Sequence, residues 1–490
     1  MKNSTPEAAS VYDVIIIGAG PCGLATAAHL RKQHPSALFT DEEQARYHWV
    51  SKQAAIKNKR SGRVTRGGIL GSRDACPSML VLDSNGKKWM SKWNALFLKH
   101  KIRYLRSPMF FHPDPSDRDA LLSFMHAAGR PNEAQEIAGC VGKELSKHQK
   151  KRRIRRGVKS TGRSKPISEI NERERRDYFA RSSACFGDFC IACRDRYDLD
   201  EQQIIRQEAV QDIDYDVCDE TVNEEKLFRV VTDAHCYFVR SVVLAVGGGE
   251  PFVPAPFGEM PSNGASHALD LEQKDLLSGT LAANVQSKQL TSVLVIGGGL
   301  TSAQAVDGLI RRGVSQIHLV MRGALKVKPF DIDLSWMSKY KNHERAAFWA
   351  TDSFEVTTRP FANSLGERLD IIKRARNGGS ITPRFKKILE SHIASSRLNV
   401  HCHTTVSGQS YSETNQNWTI TSNPSISGLP AFDHIVFATG THIDITSLPY
   451  LETLHRKYPI QTYSGLPALN NDLQWAEDVP LFVTGRLAAL

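Results

Sequence analysis

Asp13-Val14-Ile15-Ile16-Ile17-Gly18-Ala19-Gly20-Pro21-Cys22-Gly23 decides how this chain is read. Val14 to Ile17 is an unbroken apolar run, which suits a parallel strand buried on both faces. The turn behind it has the spacing Gly-x-Gly-x-x-Gly. Gly18 allows the tight bend from strand to helix, Gly20 lets a pyrophosphate approach the backbone, and Gly23 lets the helix pack close to the strand. Pro21 and Cys22 then open a helix whose free N–H groups and positive end favour a phosphate. Leu24, Ala27, Ala28 and Leu30 recur at helical spacing beyond them. A short strand, Ala37-Leu38-Phe39-Thr40, ends in Asp41 and Glu42, about 20 residues on, where a dinucleotide fold places the acid that holds ribose hydroxyls.

A second unit of the same kind starts at Val293-Leu294-Val295-Ile296. Gly297-Gly298-Gly299-Leu300-Thr301-Ser302 follows, with serine for the third glycine, then a helix from Ala303 to Arg311 and a strand from Gln316 to Val320. No ribose acid stands after that strand. Arg322 takes its place with Lys326 and Lys328 nearby, and a cation there suits a 2′-phosphate, so NADPH is favoured over NADH. The alternative is a basic surface turn beside an NADH site. Two further apolar strands end in glycine, Ser241 to Gly247 and His434 to Gly440. The order of these segments predicts an α/β fold of two Rossmann-like dinucleotide-binding domains, one inserted in the other. Residues 1–288 and 435–490 form the outer domain, and 289–434 the inner one.

The 490 residues are 41% hydrophobic and 23% charged, a globular composition. No apolar run approaches the roughly 20 residues that span a bilayer. The first ten residues lack a secretory core and the last match no receptor-read address, so the cytoplasm is expected. Nine scattered cysteines fit a reducing compartment better than a disulfide scaffold. The net charge of +11 is local: Lys143 to Lys165 holds eleven Lys or Arg and one acid. That run reads as a solvated insertion and not as a nucleic-acid surface, since no aromatic residue is interleaved to stack bases.

The chain resembles the flavoproteins with two dinucleotide-binding domains, and within them the flavin monooxygenases, including the flavin-containing, Baeyer–Villiger and N-hydroxylating types. The segments that carry the resemblance run from Gly18–Gly23 through Leu244–Pro254, Gly297–Ser302 and Phe437–Thr441 to Leu481–Arg486. Segments such as Arg106-Ser107-Pro108 and 377–384 are similar to those of fungal secondary-metabolism proteins. The resemblance implies FAD on the first unit, with Thr439, Gly440, Gly485 and Arg486 close by; Trp49, which follows the ribose acid in Tyr47-His48-Trp49, is expected to pack near the flavin and not to act in catalysis. It implies NADPH on the second unit, at Gly297, Gly299, Leu300, Thr301, Ser302 and Arg322. It also places the stretch holding Arg106, Ser107 and His112 beside the flavin ring, which makes these three the candidate catalytic residues. The implied reaction is oxygenation of a nucleophilic nitrogen or sulfur, or of a ketone, on a small molecule by O₂ through a flavin C4a-hydroperoxide. No metal is expected, and neither a membrane nor a nucleic acid as partner.

Two departures bear on this. Phe257-Gly258 is not followed closely by a histidine, since His267 lies further on than the flavin-containing type requires. The chain also stops four residues after Arg486, short of the flavin-facing helix that similar proteins carry. An NAD(P)H-dependent flavin reductase without oxygen insertion, and a non-catalytic regulator of the same fold, therefore stay open. Cys190 and Cys193 read as two buried cysteines on a helix and not as a redox dithiol. His401-Cys402-His403 reads as strand alternation and not as a metal site.

Overall fold

The computed structural model describes residues 11–32, 56–57, 64–65, 76–141, 172–217, 226–271, 275–277, 279–337, 365–470 and 472–489. Asp41, Glu42 and Trp49 and the basic run 143–165 lie outside them.

The first sheet is centred on β1 (Tyr12–Ile17), which leads into α1 (Pro21–Arg31). β2 (Met79–Leu82) pairs parallel to one edge of β1, and β3 (Ile205–Arg206) to β2. A meander of β4 (Val210–Val217), β5 (Lys226–Thr232) and β6 (Cys236–Leu244) follows, and β6 pairs parallel to the other edge of β1. Ile15 and Ile16 are fully buried, on opposite faces. Ile16 packs with Leu24, Ala27 and Ala28 of α1, and Ile15 with Phe228, Val242 and Leu481. This is the two-sided burial that the unbroken apolar run predicts.

Both edges of β1 are thus taken. The neighbouring place that the sequence reading gave to Ala37–Thr40 holds β2, brought there by residues 60 positions downstream of Gly18–Gly20. Residues 37–40 themselves lie outside the described residues.

The chain then builds a second sheet from β7 (Ala265–His267), β8 (Ser292–Ile296), β9 (Gln316–Val320), β10 (Leu398–His401) and β11 (His434–Phe437). All its pairings are parallel, in the order β7-β11-β8-β9-β10. Its α4, Leu300–Arg311, packs Ala303, Val306, Leu309 and Ile310 on Val293 and Val295. Further helices are α5 (Leu365–Arg376) and α6 (Pro383–Ala394). α2 (Ser91–Lys99) and α3 (Ser183–Arg196) belong to the first domain. β12 (Gln474–Ala476) and β13 (Val479–Val483) return to the first sheet, β13 parallel to β6.

One domain inserted in the other is therefore what the strand order shows, but the second sheet reaches past 289–434 at both ends. β7 belongs to it because Ala265 to His267 pair with Ile435 to Phe437, and β11 because it pairs in turn with β8. The crossings fall between Leu244 and Ala265 and between Phe437 and Gln474. Among the described residues no helix is long and apolar enough to cross a membrane.

Candidate functional site

The first glycine turn is built by close approach. Gly18 has φ +109, in the region that favours glycine, and a Cβ there would stand 2.5 Å from the Ala245 carbonyl oxygen. A Cβ on Gly23 would meet the Gly18 oxygen at 2.0 Å, so the start of α1 lies directly on the turn. Gly20 differs: a Cβ there meets nothing within 4 Å. Gly20 is also the N-cap of α1, and no side chain caps the helix. An open approach and unclaimed N–H groups at the positive end of a helix suit an anionic group.

Asp83, immediately after β2, holds this turn from the side. Its carboxylate accepts the Ala19 N–H at 2.7 Å and the Asn85 N–H at 2.7 Å, and the residue is buried. The sequence reading missed it. Its signal is present all the same: Met79-Leu80-Val81-Leu82-Asp83 is an apolar strand ending in an acid.

The remaining glycine-ended segments converge on the same place. A Cβ on Gly485 would lie 3.1 Å from Cys22 Sγ. One on Gly248 would lie 2.6 Å from Thr441 Oγ1 and 3.3 Å from an Arg486 guanidinium nitrogen. Thr439 donates its hydroxyl to the Phe252 carbonyl, and the Phe252 N–H reaches the Gly440 oxygen at 3.0 Å. Burial pushes the Cys22 thiol upward in pKa, which keeps it neutral and a poor nucleophile.

The second turn repeats the pattern. Gly297, at φ +148, has Ala438 O 2.3 Å from where its Cβ would be. Gly299 caps α4 without a side-chain partner for the helix, and Leu300 and Thr301 form its first turn. Ser302 is buried and turns its hydroxyl back to the Gly299 carbonyl at 2.7 Å. Gly379 crosses above: its Cβ would stand 3.1 Å from the Gly298 carbonyl carbon and the Gly299 Cα. Of the three nearby cations, two are engaged. Lys326 donates to Asn377 O at 2.6 Å, and Lys328 donates to Arg376 O at 3.0 Å and pairs with Asp333 at 2.7 Å. Arg322 is exposed and has no hydrogen bond or ion pair among the described residues.

Ser107 and His112 line a cavity of about 1160 Å³ together with Pro21, Cys22, Phe482 and Thr484. His112 Nε2 lies 3.0 Å from the Arg118 carbonyl oxygen, which makes Nε2 the protonated nitrogen and leaves Nδ1 buried without a partner. Burial lowers its pKa, so the ring is neutral. Arg106 points the other way. Its guanidinium donates to the Ser380 oxygen (2.9 Å), Ser380 Oγ (2.7 Å) and the Lys328 and Phe330 carbonyls (3.2 and 2.5 Å), all of the second domain.

Arg181 is a further residue that no sequence motif announces. It is 1% exposed, lines the cavity, and donates to the carbonyls of Ser107 at 2.6 Å and Phe111 at 2.8 Å. Its guanidinium sits over the Phe186 ring at 4.7 Å. Desolvation lowers its pKa to about 9.

Cys190 and Cys193 are buried on α3, and burial raises the pKa of Cys190 to about 12, which fits packed thiols. His401 stacks on His318 with ring nitrogens 3.0 Å apart. Among the described residues no group of three or more His, Cys, Asp or Glu could hold a metal.

Residues 197–440 match the family described as L-lysine 6-monooxygenase/L-ornithine 5-monooxygenase. No curated protein matches the chain. Among solved structures, the ornithine hydroxylase of Pseudomonas aeruginosa superposes with a TM-score of 0.58 at 16% identity, over 98% of this chain and 93% of that one. The ornithine N-hydroxylase of Kutzneria sp. 744, solved with reduced FAD, NADP⁺ and L-ornithine, gives 0.57 at 16%, over 97% and 92%. The L-lysine 6-monooxygenase of Pseudomonas syringae gives 0.55 at 18%, over 97% and 92%. With one mixed and one parallel sheet and a glycine turn in each domain, the chain has the fold of these two-domain flavin-dependent monooxygenases, and its residues 197–440 are similar to the lysine and ornithine monooxygenase family.

Proposed function

We propose that the chain is a FAD- and NADPH-dependent monooxygenase that hydroxylates a nitrogen of a small molecule. The observation that carries this is the meeting of Cys22 and Gly485 beside an open cavity that Pro21, Cys22 and Thr484 line, with a second, uncapped glycine turn in the other domain. The residues present fit the two cofactors. FAD would be held by the Gly18–Gly23 turn, with Pro21 and Cys22 at the helix start and Gly485 and Arg486 closing from the far end of the sheet. Asp83 stands where dinucleotide folds keep their ribose acid, beside Asp41 and Glu42 as alternatives for that role. NADPH would be held by Gly297, Gly299, Leu300, Thr301 and Ser302, with Arg322 on the 2′-phosphate.

A bound flavin supplies the redox chemistry, in which NADPH and O₂ are consumed, one oxygen atom enters the N–O bond and the other leaves as water. What this chain adds is position and dryness. Arg181 fixes the Ser107–Phe111 carbonyls, which shapes one wall of the cavity. His112, neutral and held at Nε2 by the Arg118 carbonyl, packs its ring as part of the same wall. Arg106 ties that wall to the second domain, which sets the distance between the two cofactor turns. The family match supports nitrogen over sulfur or a ketone as the atom oxygenated.

The test is spectroscopic. The purified chain, incubated with FAD, is expected to show a flavin absorption band that bleaches with NADPH and returns in air, with hydroxylamine formed per NADPH consumed when the right amine is present. NADPH consumption that yields only peroxide across an amine screen would favour the reductase reading. Failure to take up FAD would end the proposal.

A further inference from the structure

We propose that the cleft between the two domains, behind the Tyr104–Arg106 segment from the first cavity, is a binding site for a small polyanion. The cleft has a volume of about 560 Å³. Lys101 and Arg103 line it from the first domain, and Arg384 and Lys387 of α6 from the second. All four are exposed, and none has a carboxylate partner among the described residues.

The acids in the same walls are already neutralised. Glu136 pairs with Arg175, and Asp307 pairs with Arg311 at 3.0 Å and bonds His392 at 2.9 Å. Arg312, at the back of the cleft, pairs with Asp275 at 3.1 Å, yet its Nη1 is buried without an acceptor. The cleft is therefore a concave surface of uncompensated positive charge. Like charges facing one another across it repel, and an anion of two or more charges relieves that repulsion.

The cations are also partly organised in advance. Arg384 lies over the Tyr104 ring at 4.9 Å and donates to Gln135 Oε1 at 3.1 Å, both in the opposite domain. Two guanidinium groups with fork geometry suit carboxylate or phosphate oxygens in bidentate contact. The ligand class is thus a compact oligocarboxylate or phosphate. Leu300 lines the cleft as well and Arg322 does not, so the cleft adjoins the second glycine turn but is separate from the place proposed for the NADPH 2′-phosphate. Because its walls belong to different domains, occupancy ties the domains together.

The test is calorimetric titration and thermal unfolding of the full chain as purified, without NADPH, with citrate and separately with inorganic phosphate, ionic strength being held constant with KCl. Saturable binding of either, with a raised unfolding midpoint, is the expected result. Citrate alone would identify a carboxylate ligand, phosphate alone a phosphorylated one. R103A/R384A should weaken binding about tenfold or more, and K101Q/K387Q, which changes only exposed side chains, should weaken it if the first variant does not fold. R322A should bind citrate as the natural chain does. An effect that KCl reproduces, unchanged binding in both double variants, or loss of binding in R322A would overturn the proposal.

Discussion

Gly20 and Gly23 stand three residues apart, and the lack of a Cβ serves opposite ends in them. At Gly23 the space is filled by the protein's own backbone, so Gly23→Ala is expected to cost at least about 3 kcal/mol and to leave little folded protein. At Gly20 the space is open, so Gly20→Asp should fold with a thermal midpoint close to that of the natural chain while retaining no FAD, because a carboxylate would face the pyrophosphate. Full flavin content in that variant would remove the first turn from the FAD site. Arg322 offers a second single-residue test. With Lys326 and Lys328 engaged elsewhere, Arg322→Ala should raise the KM for NADPH about tenfold or more and leave that for NADH nearly unchanged; equal changes would assign the 2′-phosphate to another group.

Between elements, Arg106 is the clearest case of a side chain whose role only the fold reveals. Read in sequence, Arg106-Ser107 and His112 looked like one active-site stretch. Ser107 and His112 do face the cavity, but Arg106 is turned onto Lys328, Phe330 and Ser380, over 200 residues away in sequence. Arg106→Lys should not substitute, since one ammonium cannot reach acceptors spread over two segments. A destabilisation of about 3 kcal/mol, measured by denaturant unfolding, is expected. Undiminished stability would mean the crosslink contributes nothing. Glycine-bounded strands and the two helices behind them were legible because their spacing is local. The partner of β1 was not, since Met79–Leu82 and Ala37–Thr40 are both short apolar runs ending in an acid, and sheet pairing alone separates them. Arg181 was invisible for a related reason: a lone arginine carries no pattern, and its carbonyl acceptors come from a loop some 70 residues earlier.

For the whole molecule, three buried histidines set a pH limit. Desolvation holds His267, His318 and His434 at pKa values of about 4, below the ordinary value of 6.5. Between those values the unfolded chain binds protons that the folded chain does not, so stability falls as pH drops from about 6.5 towards 4 and is fully present above that window. Each histidine contributes at most about 1.4 kcal/mol per pH unit across it. Thermal midpoints measured from pH 7.5 to 4.5 should fall steeply below 6.5, and less so in His434→Asn; a flat profile would contradict the burial of these rings. The contact of Gly485 with Cys22 has a different kind of consequence. These residues are some 460 positions apart in sequence, yet they meet beside one cavity. During synthesis on a ribosome the first turn emerges early and waits, unroofed, until some 460 further residues have been added. Cofactor capture is therefore a late event, and a nascent chain arrested anywhere before residue 483 should emerge colourless.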